Sequence, residues 1–500
     1  MSNRESMNRD LKSGFLFGFI ERYSNLIVQF IVTMVLARFL DPAQFGIVAT
    51  VIVVIFFFNM LGEMGLGPAI IYHKELSARE IRGLFLLCII GGALLYAIFA
   101  LSAPLAAGFL DNDIYLGVMP LMGLMIFFSV VSIIPDTLLR REKKFGVIAM
   151  VTLSSALVSG GAACYMAYRG YGVYALVWKS IIHTGLRFLL LGNLAGWQHI
   201  IGRLSFSGVK TVFGFSSYQF MFNFLYYFSR NSDKILIARF IGEAAVGLYD
   251  MAYRLMMMPI QNIAGIASST LQPVYSTYGQ HQIAESYNDL IKKLAFLGFF
   301  IGIYVYFMAD EIIYVLYGAG WEASAVILQG LTPFLVIQIV LSTVGGIWQT
   351  LGQTRSLFHC GLFAAVTSVT AIAAGVALGN LLLIALFLGL ASLLNFIQCF
   401  CLLQVKNEKF KASVVLHGLI PIGVIAGAGF VVMLALMMLT RERFVFIDNR
   451  TARALFEMIF YALVLLVIGL GLGAVARNRT ALFFTSFLLK PFKKMVTAIH

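Results

Sequence analysis

The sequence predicts an all-α polytopic membrane protein of about fourteen transmembrane helices: two pseudo-symmetric six-helix lobes plus two C-terminal helices. Three observations predict it. The composition is too apolar for water, apolar runs of membrane-spanning length recur along the whole chain, and a segment near the start returns near the middle.

Of the 500 residues, 60% are apolar and only 12% are charged, where soluble proteins carry about 25% charged residues. The mean hydropathy is +0.90. This excludes a water-soluble enzyme, a disordered chain and a disulfide-stapled secreted domain. At about 20 residues per spanning helix, little chain is left for a separate soluble domain.

Apolar segments bounded by charge, Pro, Gly or Asn run over 14–38, 43–67, 83–109, 114–138, 146–168, 172–195, 213–240, 245–272, 294–309, 323–350, 356–376, 380–403, 413–439 and 454–476. Arg4, Arg9 and Lys12 precede the first run, which is longer than a signal-peptide core and lacks a small-residue cleavage site, so it reads as an uncleaved first helix. The five cysteines, Cys88, Cys164, Cys360, Cys399 and Cys401, lie scattered inside apolar runs and read as small packing residues.

Orientation follows from the loops. With the N-terminus in the cytoplasm, 23 Lys and Arg fall in cytoplasmic segments and 7 on the opposite side. That bias obeys the positive-inside rule and puts both termini in the cytoplasm. The net charge of +13 is then mainly loop charge facing anionic lipid headgroups, and no nucleic-acid partner is needed to explain it. In the last 24 residues, Lys490, Lys493 and Lys494 beside Phe484, Phe487 and Phe492 suggest a basic amphipathic tail at the interface.

The segment Ala37-Arg38-Phe39-Leu40-Asp41-Pro42-Ala43-Gln44-Phe45-Gly46 recurs 201 residues later as Ala238-Arg239-Phe240-Ile241-Gly242-Glu243-Ala244-Ala245-Val246-Gly247, with five of ten positions identical. Both copies join an outward-going span to an inward-going one. Six spans per repeat keep the copies parallel, so the duplication runs about an axis along the membrane normal. The expected organisation is an N-lobe over 1–208, a C-lobe over 209–405, two extra helices over 406–476 and the tail over 477–500. Two such lobes imply a cleft between them, as in an alternating-access carrier.

No nucleotide-binding loop, HExxH pattern or other catalytic constellation stands out, so no enzyme activity, cofactor or metal is expected. The informative residues are charges inside spans. Such charges normally face a cavity or a partner, because exposure to lipid costs about 2.5–3.5 kcal/mol each. Glu21 and Arg22 lie in the first span, Lys179 and Arg187 in the sixth, Arg230, Asp233 and Lys234 in the seventh, and Arg254 in the eighth. Arg230, Asp233 and Lys234 share one helix face, which Tyr218, Phe222 and Tyr226 continue, with Asn223 beside them. Aromatic faces can stack on sugars and cations can hold phosphate. Other readings stand beside this one. Arg230 and Asp233 can neutralise each other within the helix, Arg187 can snorkel to the cytoplasmic interface, and aromatics at this spacing also serve packing. Pro259 and Pro333 interrupt the eighth and tenth spans.

Several spaced blocks resemble Wzx-type polysaccharide flippases, notably the colanic-acid-exporter-like branch of the multidrug/oligosaccharidyl-lipid/polysaccharide exporter superfamily. The first is Val35-Leu36-Ala37-Arg38-Phe39-Leu40-Asp41-Pro42-Ala43-Gln44-Phe45-Gly46, followed by Met64-Gly65-Leu66-Gly67-Pro68-Ala69-Ile70-Ile71 and Lys74-Glu75-Leu76-Ser77. Then come Asp233-Lys234-Ile235-Leu236-Ile237-Ala238-Arg239-Phe240, Gly247-Leu248-Tyr249 and Ala252-Tyr253-Arg254. Gly318-Ala319-Gly320-Trp321 with Ala325 and Leu328-Gln329 closes the series. The resemblance implies transport of undecaprenyl-diphosphate-linked oligosaccharide from the cytoplasmic to the outer leaflet of a bacterial inner membrane. Membrane lipids and a polysaccharide polymerase with chain-length or export machinery are the implied partners. On that footing Arg230, Lys234 and Arg254, then Arg22 and Lys179, are candidates for the diphosphate headgroup. Tyr218, Phe222, Tyr226 and Asn223 are candidates for sugar, and Asp233 and Glu21 for coupling to an ion. The rival expectations are a cation-coupled multidrug exporter with an acidic cavity, and a lipid II flippase with nearly the same headgroup chemistry.

Overall fold

The computed structural model describes residues 3–63, 66–73, 76–197, 205, 231–275, 278–410, 412–440 and 449–475. These are almost entirely helical. Twelve helices among the described residues are long and apolar enough to cross a membrane, and the chain is a multi-pass membrane protein. Of the two remaining expected spans, 213–240 falls largely outside the described residues. The other, 245–272, is a single long helix, Glu243–Tyr275, that carries Asp250, Arg254, Gln261 and Asn262 along it.

The chain divides into two compact units, Met1–Gly247 and Leu248–His500. The expected lobe boundary at 208/209 lies outside the described residues. The compact division comes 39 residues later because residues 238–247 are tied into the first unit by contacts described below.

The first unit contains α1 (Asn3–Leu36), α2 (Pro42–Glu63), α3 (Leu66–Tyr72), α4 (Ala78–Leu101), α5 (Ala103–Leu110), α6 (Ile114–Arg141), α7 (Phe145–Tyr168) and α8 (Val173–Ala195). It also holds the helical stretch 231–240, here α9, and the first turn of α10 (Glu243–Tyr275). Local chemistry sets the ends. Ser77 opens α4 with a reciprocal cap, Ser77 N donating to Glu80 Oε2 at 2.9 Å and Glu80 N to Ser77 Oγ at 3.4 Å. Asp111 closes α5 in the left-handed region at φ 53°. Helix α6 is the hub, packed against α2, α4 and α8, while α7 packs on α1 and α8. Tyr115, Met122, Ile126 and Leu84 are fully enclosed there, so α6 and α8 are rigid platforms for the polar groups they carry.

The second unit holds the rest of α10, then α11 (Gln280–Phe307), α12 (Ala309–Tyr317), α13 (Glu322–Leu331), α14 (Leu335–Leu341), α15 (Val344–Thr350), α16 (Thr354–Ala377), α17 (Leu381–Lys406), α18 (Ala412–Thr440) and α19 (Arg450–Val475). The expected span 323–350 is broken into α13, a 3-10 turn at Thr332–Phe334 and two short helices. Pro333 sits in that turn and removes a backbone donor. Helix α11 starts 14 residues before the expected span 294–309, because its polar first half is amphipathic and leaves no hydropathy signal. Trp348, Ile347 and Tyr287 fill the core, with Tyr287 Oη 3.0 Å from Thr343 Oγ1. Leu105, Leu94, Val424, Val431, Leu463 and Val467 remain exposed, as side chains facing hydrocarbon should be.

Candidate functional site

The charges of the first unit gather around one carboxylate. Asp136 and Arg140 stand one turn apart near the end of α6, and Arg140 Nε lies 2.8 Å from Asp136 Oδ2. On α8, Lys179, His183 and Arg187 recur every four residues and so share a face. Arg187 Nη2 reaches across to Asp136 Oδ1 at 2.9 Å. Each oxygen of Asp136 therefore accepts from a guanidinium on a different helix, the charge-assisted geometry that binds most strongly.

The network continues through α7 and α1. His183 is hydrogen-bonded to the Ser155 backbone on α7 and lies within electrostatic reach of Lys179 and Arg187. One turn before Ser155, the Thr152 hydroxyl shares its proton between the Ile148 carbonyl at 2.9 Å and Glu21 Oε1 on α1 at 3.2 Å. Glu21 attracts Arg140, and Glu63 at the end of α2 repels Asp136. The polar groups thus form a ring through α1, α7, α8 and α6. Side-chain exposure is 17% at Asp136, 26% at Arg187 and 38% at Arg140, so these three groups are half-buried. Opposite charges this close offset the penalty of removing each from water.

The sequence candidates distribute as follows. Glu21 joins the ring, whereas Arg22, its neighbour, is exposed. Lys179 stands two turns above Arg187 on the same face of α8. Arg187 pairs with Asp136 across α8 and α6. On α9, Asp233 is buried and accepts from the Lys234 backbone N–H at 2.8 Å, and Lys234 is half-buried. Arg230, Tyr218, Phe222, Tyr226 and Asn223 lie outside the described residues. Asp136 and His183, central to the ring, were not among the sequence candidates. The i, i+4, i+8 spacing on α8 was the signal available for His183.

In the second unit Arg254 is paired with Asp250 one turn before it, Nε to Oδ2 at 2.7 Å. The Arg254 side chain is 54% exposed and that of Asp250 only 5%, so a buried acid anchors a half-exposed guanidinium. Tyr249 and Tyr253 stack beside them at 5.6 Å. A separate cavity of about 240 Å³ in this unit is lined by Tyr306, Phe307, Asp310, Glu311, Gln329 and Met437. Among the described residues no three His, Cys, Asp or Glu side chains converge as a metal site.

Fold and site define a class: an α-helical, multi-pass membrane protein with half-buried ion pairs on its helices. The chain belongs to the family described as polysaccharide biosynthesis protein, whose profile matches residues 35–326. It is 23% identical over 345 residues to the teichuronic acid biosynthesis protein TuaB of Bacillus subtilis (strain 168), covering 68% of this chain and 71% of the relative. It is also 23% identical over 354 residues to the lipopolysaccharide biosynthesis protein WzxC of Escherichia coli (strain K12), covering 68% and 70%. Among solved structures, the lipid II flippase MurJ in an inward closed conformation shares the fold, with TM-score 0.70 and 15% identity over 96% of this chain and 99% of that one.

Proposed function

We propose that the chain is a flippase that carries undecaprenyl-diphosphate-linked oligosaccharide units from the cytoplasmic to the outer leaflet of the bacterial inner membrane, with both termini cytoplasmic. Polysaccharide polymerase and chain-length or export machinery are the proposed partners. The observation that carries this reading is the two-helix guanidinium clamp of the first unit, Arg140 in the last turn of α6 and Arg187 within α8. Paired guanidiniums match the two-oxygen edge of a phosphate, and a clamp joining the end of one span to the interior of another suits a headgroup attached to a lipid tail. Arg254, held out by Asp250, offers a second cation of the same kind. Membership in a polysaccharide biosynthesis family supplies the substrate class, and the relatives' names point to cell-surface glycans.

Depletion of the protein in its native cell tests the assignment. Lipid-linked oligosaccharide should accumulate in the cytoplasmic leaflet, out of reach of an external glycosidase. Unchanged accessibility of that pool would remove the reading.

A second reading, export of amphipathic cations, has one observation in its favour: the cavity in the second unit combines Asp310 and Glu311 with Tyr306 and Phe307. Drug-resistance assays in cells overproducing the protein separate the two.

A further inference from the structure

We propose that Asp136 is a resident counter-ion: it occupies the anion seat that a diphosphate headgroup takes during transport, and loading exchanges one for the other. The inference rests on the lipid-diphosphate reading above and names how that site is kept when empty.

The geometry of the clamp comes first. Both Asp136 oxygens are engaged, Oδ2 by Arg140 of α6 at 2.8 Å and Oδ1 by Arg187 of α8 at 2.9 Å. A phosphoryl group presents the same two-oxygen edge to the same donors, with more charge. Two guanidiniums held in this way by one short side chain form a site shaped for an anion that can leave.

The surrounding charge comes second. Asp136 is paired with Arg140 and Arg187 and faces Glu63, while Glu21 acts on Arg140 and Lys179 and His183 lie within reach of Arg187 on α8. His183 and Lys179 extend this polar face of α8 beyond the clamp, one helical turn at a time, with Lys179 as its further cation. A single carboxylate cannot span that ladder, whereas a diphosphate can touch successive steps of it.

Energetics explain why a counter-ion is built in. An unpaired cation within a span is costly, so leaving Arg187 of α8 without a carboxylate partner whenever cargo is absent would be expensive. Asp136 offsets one of the two positive charges between cycles. The same carboxylate then competes with cargo and weakens its hold, which lets the headgroup go on the far side. The Arg140 and Arg187 side chains are 38% and 26% exposed, which leaves both guanidiniums open surface for an incoming anion.

The test is equilibrium binding of radiolabelled geranylgeranyl diphosphate to the full chain in nanodiscs, with geranylgeraniol as the phosphate-free control. Asp136→Asn should tighten binding about tenfold or more, and Arg187→Gln should weaken it by a similar factor. A purely structural ion pair would not produce tightening. Equal or weaker binding by Asp136→Asn overturns the proposal, as does a wild-type protein that does not prefer the diphosphate over the alcohol. Should Asp136→Asn fail to fold with two uncompensated guanidiniums, Asp136→Asn/Arg140→Gln keeps the charge balance. It should bind tighter than Arg140→Gln alone, and equality would overturn the exchange. Tightened binding in a protein that moves no lipid removes the transport reading and leaves the exchange standing. Transport with unchanged binding does the reverse.

Discussion

Gly46 and Gly247, equivalent positions of the internal repeat, pack backbone against backbone. A Cβ on Gly46 would strike the Glu243 carbonyl, and a Cβ on Gly247 would strike the Pro42 carbonyl. Pro42 and Glu243 are themselves 201 residues apart, so the contact is reciprocal: each copy of the motif offers its glycine to the same place on the other. That is the signature of a local twofold relation, and only residues without a side chain permit it.

Alanine at Gly46 or Gly247 should therefore destabilise the protein by about 1–3 kcal/mol, read as a lower thermal midpoint in detergent. Gly91→Ala is the control. Nothing lies within 4 Å of the methyl it would add, and it should be neutral or mildly stabilising.

The second copy of the motif also grips the turn between α5 and α6. Arg239 pairs with Asp111 and lies over the Phe109 ring at 5.5 Å, while Asn112 Nδ2 donates to Glu243 Oε1 at 3.0 Å. Asp111 adopts φ 53°. Asp111→Gly loses the ion pair and keeps the turn, whereas Asp111→Ala loses the pair and strains the backbone. The alanine variant should be less stable than the glycine variant by about 1 kcal/mol, again by thermal midpoint. Equal midpoints would mean that the turn does not depend on the left-handed residue.

Arg254 owes its orientation to Asp250, and both should matter for transport. Arg254→Ala is expected to lower the rate of lipid translocation about tenfold or more, with Asp250→Asn close behind. Arg254→Lys should rescue only in part, because an ammonium cannot reproduce the Nε contact and present further donors at once. Full activity of the lysine variant would reduce Arg254 to a simple positive charge.

Glu21 meets Thr152 across α1 and α7, which places an acid where ring occupancy can be sensed. If it couples transport to protons, Glu21→Gln should translocate lipid at a rate that no longer responds to an imposed pH gradient, and Asp233→Asn should keep the response. The reverse pattern would assign coupling to Asp233. Vesicles with and without the gradient supply the comparison.

The membrane-spanning elements were legible wherever hydropathy marks them. Spans 114–138, 146–168 and 172–195 match α6, α7 and α8 to within about three residues. What hydropathy does not mark was missed. The polar first half of α11 carries no apolar run, and the break at Thr332–Phe334 depends on Pro333 together with the packing around it. The site was legible by halves. Asp136 with Arg140, and Lys179 with His183 and Arg187, are visible as four-residue spacings within single helices. The bond from Arg187 to Asp136 joins residues 51 positions apart, and no local pattern announces it. A lone arginine within a span shows no partner in the sequence until the neighbouring helix brings Asp136 to it.

The most direct test of the account is lipid translocation by the purified chain in proteoliposomes, using a prenyl-diphosphate oligosaccharide whose outward exposure is read by a lectin or glycosidase. The wild type should move it, and Arg187→Ala should lose most of that activity while retaining its fold. An Arg187→Ala protein that translocates at the wild-type rate would contradict the claim that the Asp136–Arg140–Arg187 clamp holds the headgroup.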